Sequence, residues 1–185
     1  MPKKNPLEII NQLSPQQALF IIRTLAESDQ KLANRIAQMA VDHISEVDSQ
    51  EVAAIVYKDL EALQVEDVWD SAGRTRHDYV EPQEVADEMI EHVLEPYEQD
   101  LTRYQKMNLP KQAMWLCMGI LHGLYRFEHE SKTEFKDWAV ELPLHHALTI
   151  FGQWSTKKPS QEAIEEMQSF INNLMPRWKR YFKIS

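Results

Sequence analysis

Apolar residues recur at helical spacing along nearly the whole chain, and nowhere do several of them alternate with polar residues as a half-buried strand requires. That restricts the fold to the all-α class. The pattern breaks at length once, over Val68-Trp69-Asp70-Ser71-Ala72-Gly73-Arg74-Thr75-Arg76-His77-Asp78-Tyr79-Val80-Glu81-Pro82, a stretch that reads as an irregular loop rather than a helix.

The helices can be placed from their caps and their spacing. Ser14-Pro15 offers an N-cap and a first-turn proline, and Ala18, Leu19, Ile22, Leu25 and Ala26 follow the helical period. Leu32, Ile36, Met39, Ala40, His43 and Ile44 give a second helix, paired with the first across a short turn as a helical hairpin. Asp48 and Ser49 cap a third through Val52, Ile55, Val56, Leu60 and Leu63, ending near Gln64. Pro82 opens a fourth with Val85, Met89, Val93 and Leu94, which Pro96 is expected to kink or break before Tyr97, Leu101 and Tyr104 resume the period.

After a corner at Asn108-Leu109-Pro110, the segment from Lys111 to about Glu130 is the most apolar. Ala113, Met114, Leu116, Cys117, Ile120, Leu121, Leu124, Tyr125 and Phe127 cover more than one of its faces, so this helix should be central. It contains Gly119 and Gly123, each of which costs a helix ~1 kcal/mol relative to Ala. The close approach of a second helix would offset that cost. Short helices around Thr133-Glu141 and Leu144-Trp154 follow, and Ser160 caps a last one with Ile164, Met167, Ile171 and Leu174, bent or broken at Pro176. The expected architecture is eight or nine helices arranged as antiparallel hairpins in a short superhelical stack or an irregular bundle. The stack is preferred because Pro15 to Ile44 and Tyr97 to Phe127 each read as a helix-turn-helix of repeat-like length. One helical domain is expected over 1-185, with a hairpin at 1-46 and a main body at 47-185.

Charge and cysteine usage narrow the partners and the setting. A net charge of -9 argues against a general phosphate-binding surface, so direct nucleic-acid binding is not expected. Arg177, Lys179, Arg180 and Lys183 nonetheless gather at one end, interleaved with Trp178, Tyr181 and Phe182 at a spacing that would dock these aromatics in the core. The single Cys117 sits in an apolar run and reads as a buried, reduced thiol, which fits a cytoplasmic protein. Met1-Pro2-Lys3-Lys4-Asn5-Pro6 leads into an amphipathic segment rather than a signal-peptide core, and no apolar run approaches the ~20 residues that span a bilayer. Neither secretion nor membrane insertion is expected.

The sequence carries none of the familiar catalytic or metal-binding signatures. A di-iron site needs Glu three residues before His on two helices, and no histidine here has one; the paired-histidine metalloprotease signature is also missing. Glu88 with His92 and Glu141 with His145 are spaced for surface pairing, and the adjacent His145 and His146 point in different directions. Cys117 and His122 are turned apart on one helix, which disfavours a nucleophile-base pair. Four glycines cannot write a phosphate loop or a dinucleotide fingerprint. No catalytic residue, metal ligand or cofactor is assigned.

The irregular segment is the candidate site. Arg74, Arg76 and His77 suit an anion, with Trp69 and Tyr79 as stacking walls. Alternatively it is an ordered loop in which the arginines pair with Asp70, Asp78 and Glu81 while Trp69 and Tyr79 plug the core. The leading expectation is a non-enzymatic helical scaffold that binds a protein partner through a groove rimmed by Trp69, Arg74, Arg76, His77 and Tyr79. The alternatives are a small-anion-binding protein or enzyme with its ligand at Arg74 and Arg76, and an accessory factor in nucleic-acid metabolism acting through the basic C-terminal end.

The stretch Ser14-Pro15-Gln16-Gln17-Ala18-Leu19-Phe20-Ile21-Ile22-Arg23-Thr24-Leu25-Ala26-Glu27-Ser28-Asp29-Gln30-Lys31-Leu32-Ala33 resembles helical segments of bacterial proteins that carry a SWIM-type zinc finger. The finger itself needs more than the one cysteine present. The later part resembles uncharacterised bacterial helical-repeat domains of the HEAT or tetratricopeptide kind. Ala113 stands at the small position of the second helix, while the Trp-Leu-Gly-Tyr pattern of the first is absent. These resemblances imply a repeat-like helical fold and carry over no functional residue.

Overall fold

The computed structural model describes residues 6–44, 47–74 and 79–182, with His43, Ile44 and Arg74 by backbone alone. Among them are ten helices and one small ribbon: α1 (Pro6–Ile10), α2 (Pro15–Ser28), α3 (Gln30–Ile44), α4 (Ser49–Glu61), α5 (Val65–Ser71), strands β1 (Gly73–Arg74) and β2 (Tyr79–Val80), α6 (Pro82–Lys106), α7 (Pro110–Glu130), α8 (Phe135–Trp138), α9 (Leu142–Ser155) and α10 (Gln161–Leu174). The chain adopts the all-α class that its periodicity requires. It divides into two compact units, Met1–Glu46 and Val47–Ser185.

In the first unit, Ser14 caps α2 as its sequence suggests. Its hydroxyl accepts from the Gln17 amide at 3.3 Å, and the Gln17 side chain accepts from the Ser14 amide at 3.0 Å, so two otherwise orphaned donors are satisfied reciprocally. Asp29 is the single residue between α2 and α3, and its carboxylate accepts from the amides of Lys31 (2.8 Å) and Leu32 (3.3 Å). The two helices pack together through half-buried Ala18 and Ala26 on one side and Leu32, Ala33 and Ile36 on the other. No residue of α1 or α2 is fully buried.

The second unit is built around α7, which is buried over most of its circumference through Met114, Leu116, Cys117, Met118, Ile120, Leu121, Leu124 and Phe127 among others, with Trp115, His122 and Arg126 along its half-exposed side. Helices α4, α6, α9 and α10 all pack on it. Of the two arrangements expected for the helices, this body is the irregular bundle. A helix buried over most of its circumference must be covered by several partners, whereas a stacked repeat touches only its neighbours. The closest approach is that of α4. A Cβ built on Gly119 would lie 2.5 Å from Val52 Cβ and 2.8 Å from the Ser49 carbonyl oxygen, and one on Gly123 would lie 2.7 Å from Val56 Cβ. The glycines buy that contact, which is the compensation their helix cost demanded.

Several expectations are corrected. The start of the expected irregular stretch, Val68–Ser71, is helical: it belongs to α5 (Val65–Ser71), on which Val65 and Val68 are both buried. Gly73, at φ 108°, then turns the chain into a short antiparallel ribbon in which Gly73 faces Val80 and Arg74 faces Tyr79. Pro96 does not break its helix; α6 runs 25 residues through it, because Ile90, Leu94, Leu101 and Tyr104 lie buried on both sides of the proline and hold the two halves in register. At the other end α10 stops at Leu174, before Pro176. Trp178 and Phe182 dock in the core as expected, with the Trp178 indole donating to Glu128 at 3.2 Å and Phe182 edge-on to Phe151 at 5.0 Å. Tyr181 does not dock; it is 41 % exposed, beneath the Arg180 guanidinium. Cys117 is fully buried, and burial pushes its thiol well above the ordinary value. Among the described residues no helix is long and apolar enough to cross a membrane.

Candidate functional site

The candidate surface is assembled by α5, the ribbon and the start of α6. Val65 and Val68 share the face of α5 that is buried, and α5 packs on α6. Trp69, one residue further on, is therefore rotated outward and is 54 % exposed. Tyr79, on β2, is 55 % exposed. The alternative in which these two aromatics plug the core is thus overturned: the valines fill that role, and both rings face solvent. Arg74 stands on β1 directly across from Tyr79, while Arg76 and His77 lie outside the described residues.

Exposed carboxylates lie on the same elements. Glu66, Asp67 and Asp70 on α5 and Glu81 and Glu84 at the start of α6 are all exposed. Glu81 and Glu84 also close a capping box, the Glu81 amide donating to the Glu84 carboxylate at 3.4 Å. The elements of this surface thus carry two exposed aromatics and five exposed carboxylates, with Arg74 paired across the ribbon from Tyr79.

Three further constellations were not legible from the sequence, since each joins side chains from distant segments. The first is a cavity of about 400 Å3 between the α6–α7 corner and the α9–α10 corner, walled by Leu109, Pro110, Met114 and the buried Trp154. Both corners contain a residue in the left-handed region, Asn108 at φ 57° and Lys158 at φ 51°. Lys111, Lys157 and Lys158 stand exposed at its edge, in no ion pair among the described residues, with Glu162 and Glu166 across from them. The second is a polar seam between α6 and α9. The buried His146 lies 2.8 Å from Asp87, Gln153 donates to the Thr102 hydroxyl at 2.8 Å, and Gln105 donates to the Gln153 carbonyl at 3.1 Å. Burial raises the Glu98 carboxyl there, His146 opposes the rise and Glu91 adds to it.

The third lies where α7 meets α4 and α10. The Arg126 guanidinium sits 4.6 Å above the Tyr57 ring and pairs with Glu130 at 3.0 Å. His122 meets Phe170 edge-on at 5.9 Å, and its buried Nδ1 has no hydrogen-bond partner among the described residues. Burial and then the Arg126 charge lower the His122 pKa. Between α6 and α4 the Tyr97 hydroxyl donates to Asp59 at 2.6 Å, and burial followed by that carboxylate pushes the phenol up.

These seams are built to hold helices together. Cys117 is sealed and its thiol is driven away from the thiolate, the reverse of what a nucleophile needs. Among the described residues no group of three or more His, Cys, Asp or Glu side chains is disposed to hold a metal ion. No family model, curated protein or solved structure matches the chain.

Proposed function

We propose that the chain is a non-enzymatic helical module that binds a protein partner at the α5–ribbon surface, and that the partner presents a basic face. The observation that carries this reading is the outward placement of Trp69 and Tyr79, each more than half exposed, on α5 and the ribbon. With the start of α6 these elements also carry the exposed carboxylates of Glu66, Asp67, Asp70, Glu81 and Glu84, against the one cation Arg74 among their described residues. Large rigid aromatics of this kind are the usual energetic centre of an interface, and their truncation typically costs at least ~2 kcal/mol, or about 30-fold in affinity. The excess of carboxylates selects a basic partner and speeds its arrival.

The test is affinity capture from the native host with the wild-type chain and with a Trp69→Ala/Tyr79→Ala variant, followed by titration of the captured protein in purified form. A partner lost by the variant, bound directly by the wild type and weakened by added salt is the expected result. A captured set that does not depend on the two aromatics overturns the reading.

A second reading is favoured by the cavity: a small amphipathic anion, its apolar body against Trp154 and Met114 and its charge toward Lys111, Lys157 and Lys158. The volume and the apolar wall with a few polar groups at the edge match small-molecule sites in general. Saturable binding of octanoate but not octylamine, followed by shifts in the Met114 methyl resonance, is what this reading requires.

A further inference from the structure

We infer that the cavity between the α6–α7 and α9–α10 corners takes a small zwitterion, an α-amino acid with a bulky apolar side chain, its carboxylate toward the lysines and its ammonium toward Glu162 and Glu166. The inference rests on the second reading above, in which the cavity holds an amphipathic ligand with its negative end at Lys111, Lys157 and Lys158, and it adds a positive group to that ligand. The first observation is the sign of the charges. Three lysines and two glutamates line one cavity of about 400 Å3, so its edge is mixed rather than uniformly basic. A simple anion there is drawn by the lysines and repelled by both carboxylates, and a simple cation meets the reverse. A ligand that carries both signs leaves neither set of groups opposed.

The second observation is where the two signs stand. The Trp115 indole donates to Glu166 at 3.4 Å, and His122 meets Phe170 at 5.9 Å. The partners advance together along the chain, so α7 and α10 run in the same direction and their first turns lie at the same end. Lys111 and Glu162 are the second residues of these helices, which sets them level with each other on walls whose axes are about 8–10 Å apart. Lys157 and Lys158, on the corner that leads into α10, bring two more cations to that end, and Glu166 lies one turn further along α10.

The third observation is that these charges do not neutralise one another. All five side chains are exposed, yet none of the three lysines forms an ion pair with either glutamate. What separates them is the cavity, and its wall is apolar: Ala113, Met114 and Trp154 line it and are each no more than 3 % exposed to solvent. An α-amino acid fits that division. Its two charged groups share one carbon at the edge, where the flexible stems of lysine and glutamate can close on both, and its side chain points inward against Trp154.

The experiment is calorimetric titration of the full-length chain with octanoate, L-2-aminooctanoate and octylamine, with the Met114 methyl resonance followed in parallel. The apolar chain is constant in length across the series, so the charged groups alone decide the order. L-2-aminooctanoate should bind at least ~10-fold more tightly than octanoate and shift the Met114 methyl, and octylamine should not bind. Glu162→Gln/Glu166→Gln, at two exposed positions, should erase the preference for the amino acid while circular dichroism stays that of the wild type. Octanoate that binds as tightly as L-2-aminooctanoate leaves the anion reading standing and overturns the zwitterion, and octylamine that does so overturns both. A preference that survives the double variant places the ammonium elsewhere and also overturns the inference. If none of the three compounds binds, the cavity is no ligand site and both readings fall together.

Discussion

Gly119 shows how a single missing carbon organises the body. With an alanine there, the new methyl would press on the branched Val52 and on a backbone carbonyl of α4, and the latter has no rotamer to retreat into. Gly119→Ala should therefore lower unfolding stability by about 2 kcal/mol despite its better helix propensity, as read from the urea midpoint, and Val52→Ala in the same chain should recover part of the loss. His122 offers a second test. Its folded pKa lies below the 6.5 of the unfolded chain, so the unfolded state takes up the proton first. Its contribution to stability thus falls as pH drops through about 6.5 and levels off below the folded value. His122→Leu should flatten that part of the stability–pH profile and, by removing an unpaired buried nitrogen, add about 1 kcal/mol at pH 7.5. The role of the glycines was legible in the sequence, because two of them inside an apolar helix have few other uses. The outward turn of Trp69 was not. It depends on Val65 and Val68 forming the buried stripe of a seven-residue helix too short to stand out by periodicity.

At the scale of the helix, Pro96 is the informative case. Proline lacks the amide that would reach the His92 carbonyl, yet α6 continues, so packing on either side of the interruption outweighs the lost bond. Because Pro96 is exposed, Pro96→Ala should restore that bond without disturbing the core and raise stability by about 2 kcal/mol, measured by thermal and urea unfolding. Sequence marked the place of strain but not its resolution, since the buried residues that bridge it gain their value from the helices packed on α6, with α7, α4 and α9 among them. The α6–α9 seam illustrates the same limit. Asp87 and His146 are 59 residues apart, and neither belongs to a motif that would single it out.

The whole molecule is two units of different character: an acidic body that closes its own core and a neutral hairpin that does not. Their unfolding should differ accordingly. Circular dichroism at 222 nm should show the hairpin losing its helix before the body does, whereas a single step for both units would contradict the difference in burial between them. Fold class could be read from periodicity over the entire chain, because the absence of alternation is a global property. The choice between bundle and stack could not, since it turns on how many sides of α7 are covered. That coverage has a practical result. The protein's lone thiol, sealed at Cys117, is a built-in clock: a thiol reagent can reach it only when the body opens, so the labelling rate counts openings. Under native conditions modification should be slow, and Gly119→Ala should quicken it exponentially with the stability it removes, by about 30-fold for a loss of about 2 kcal/mol.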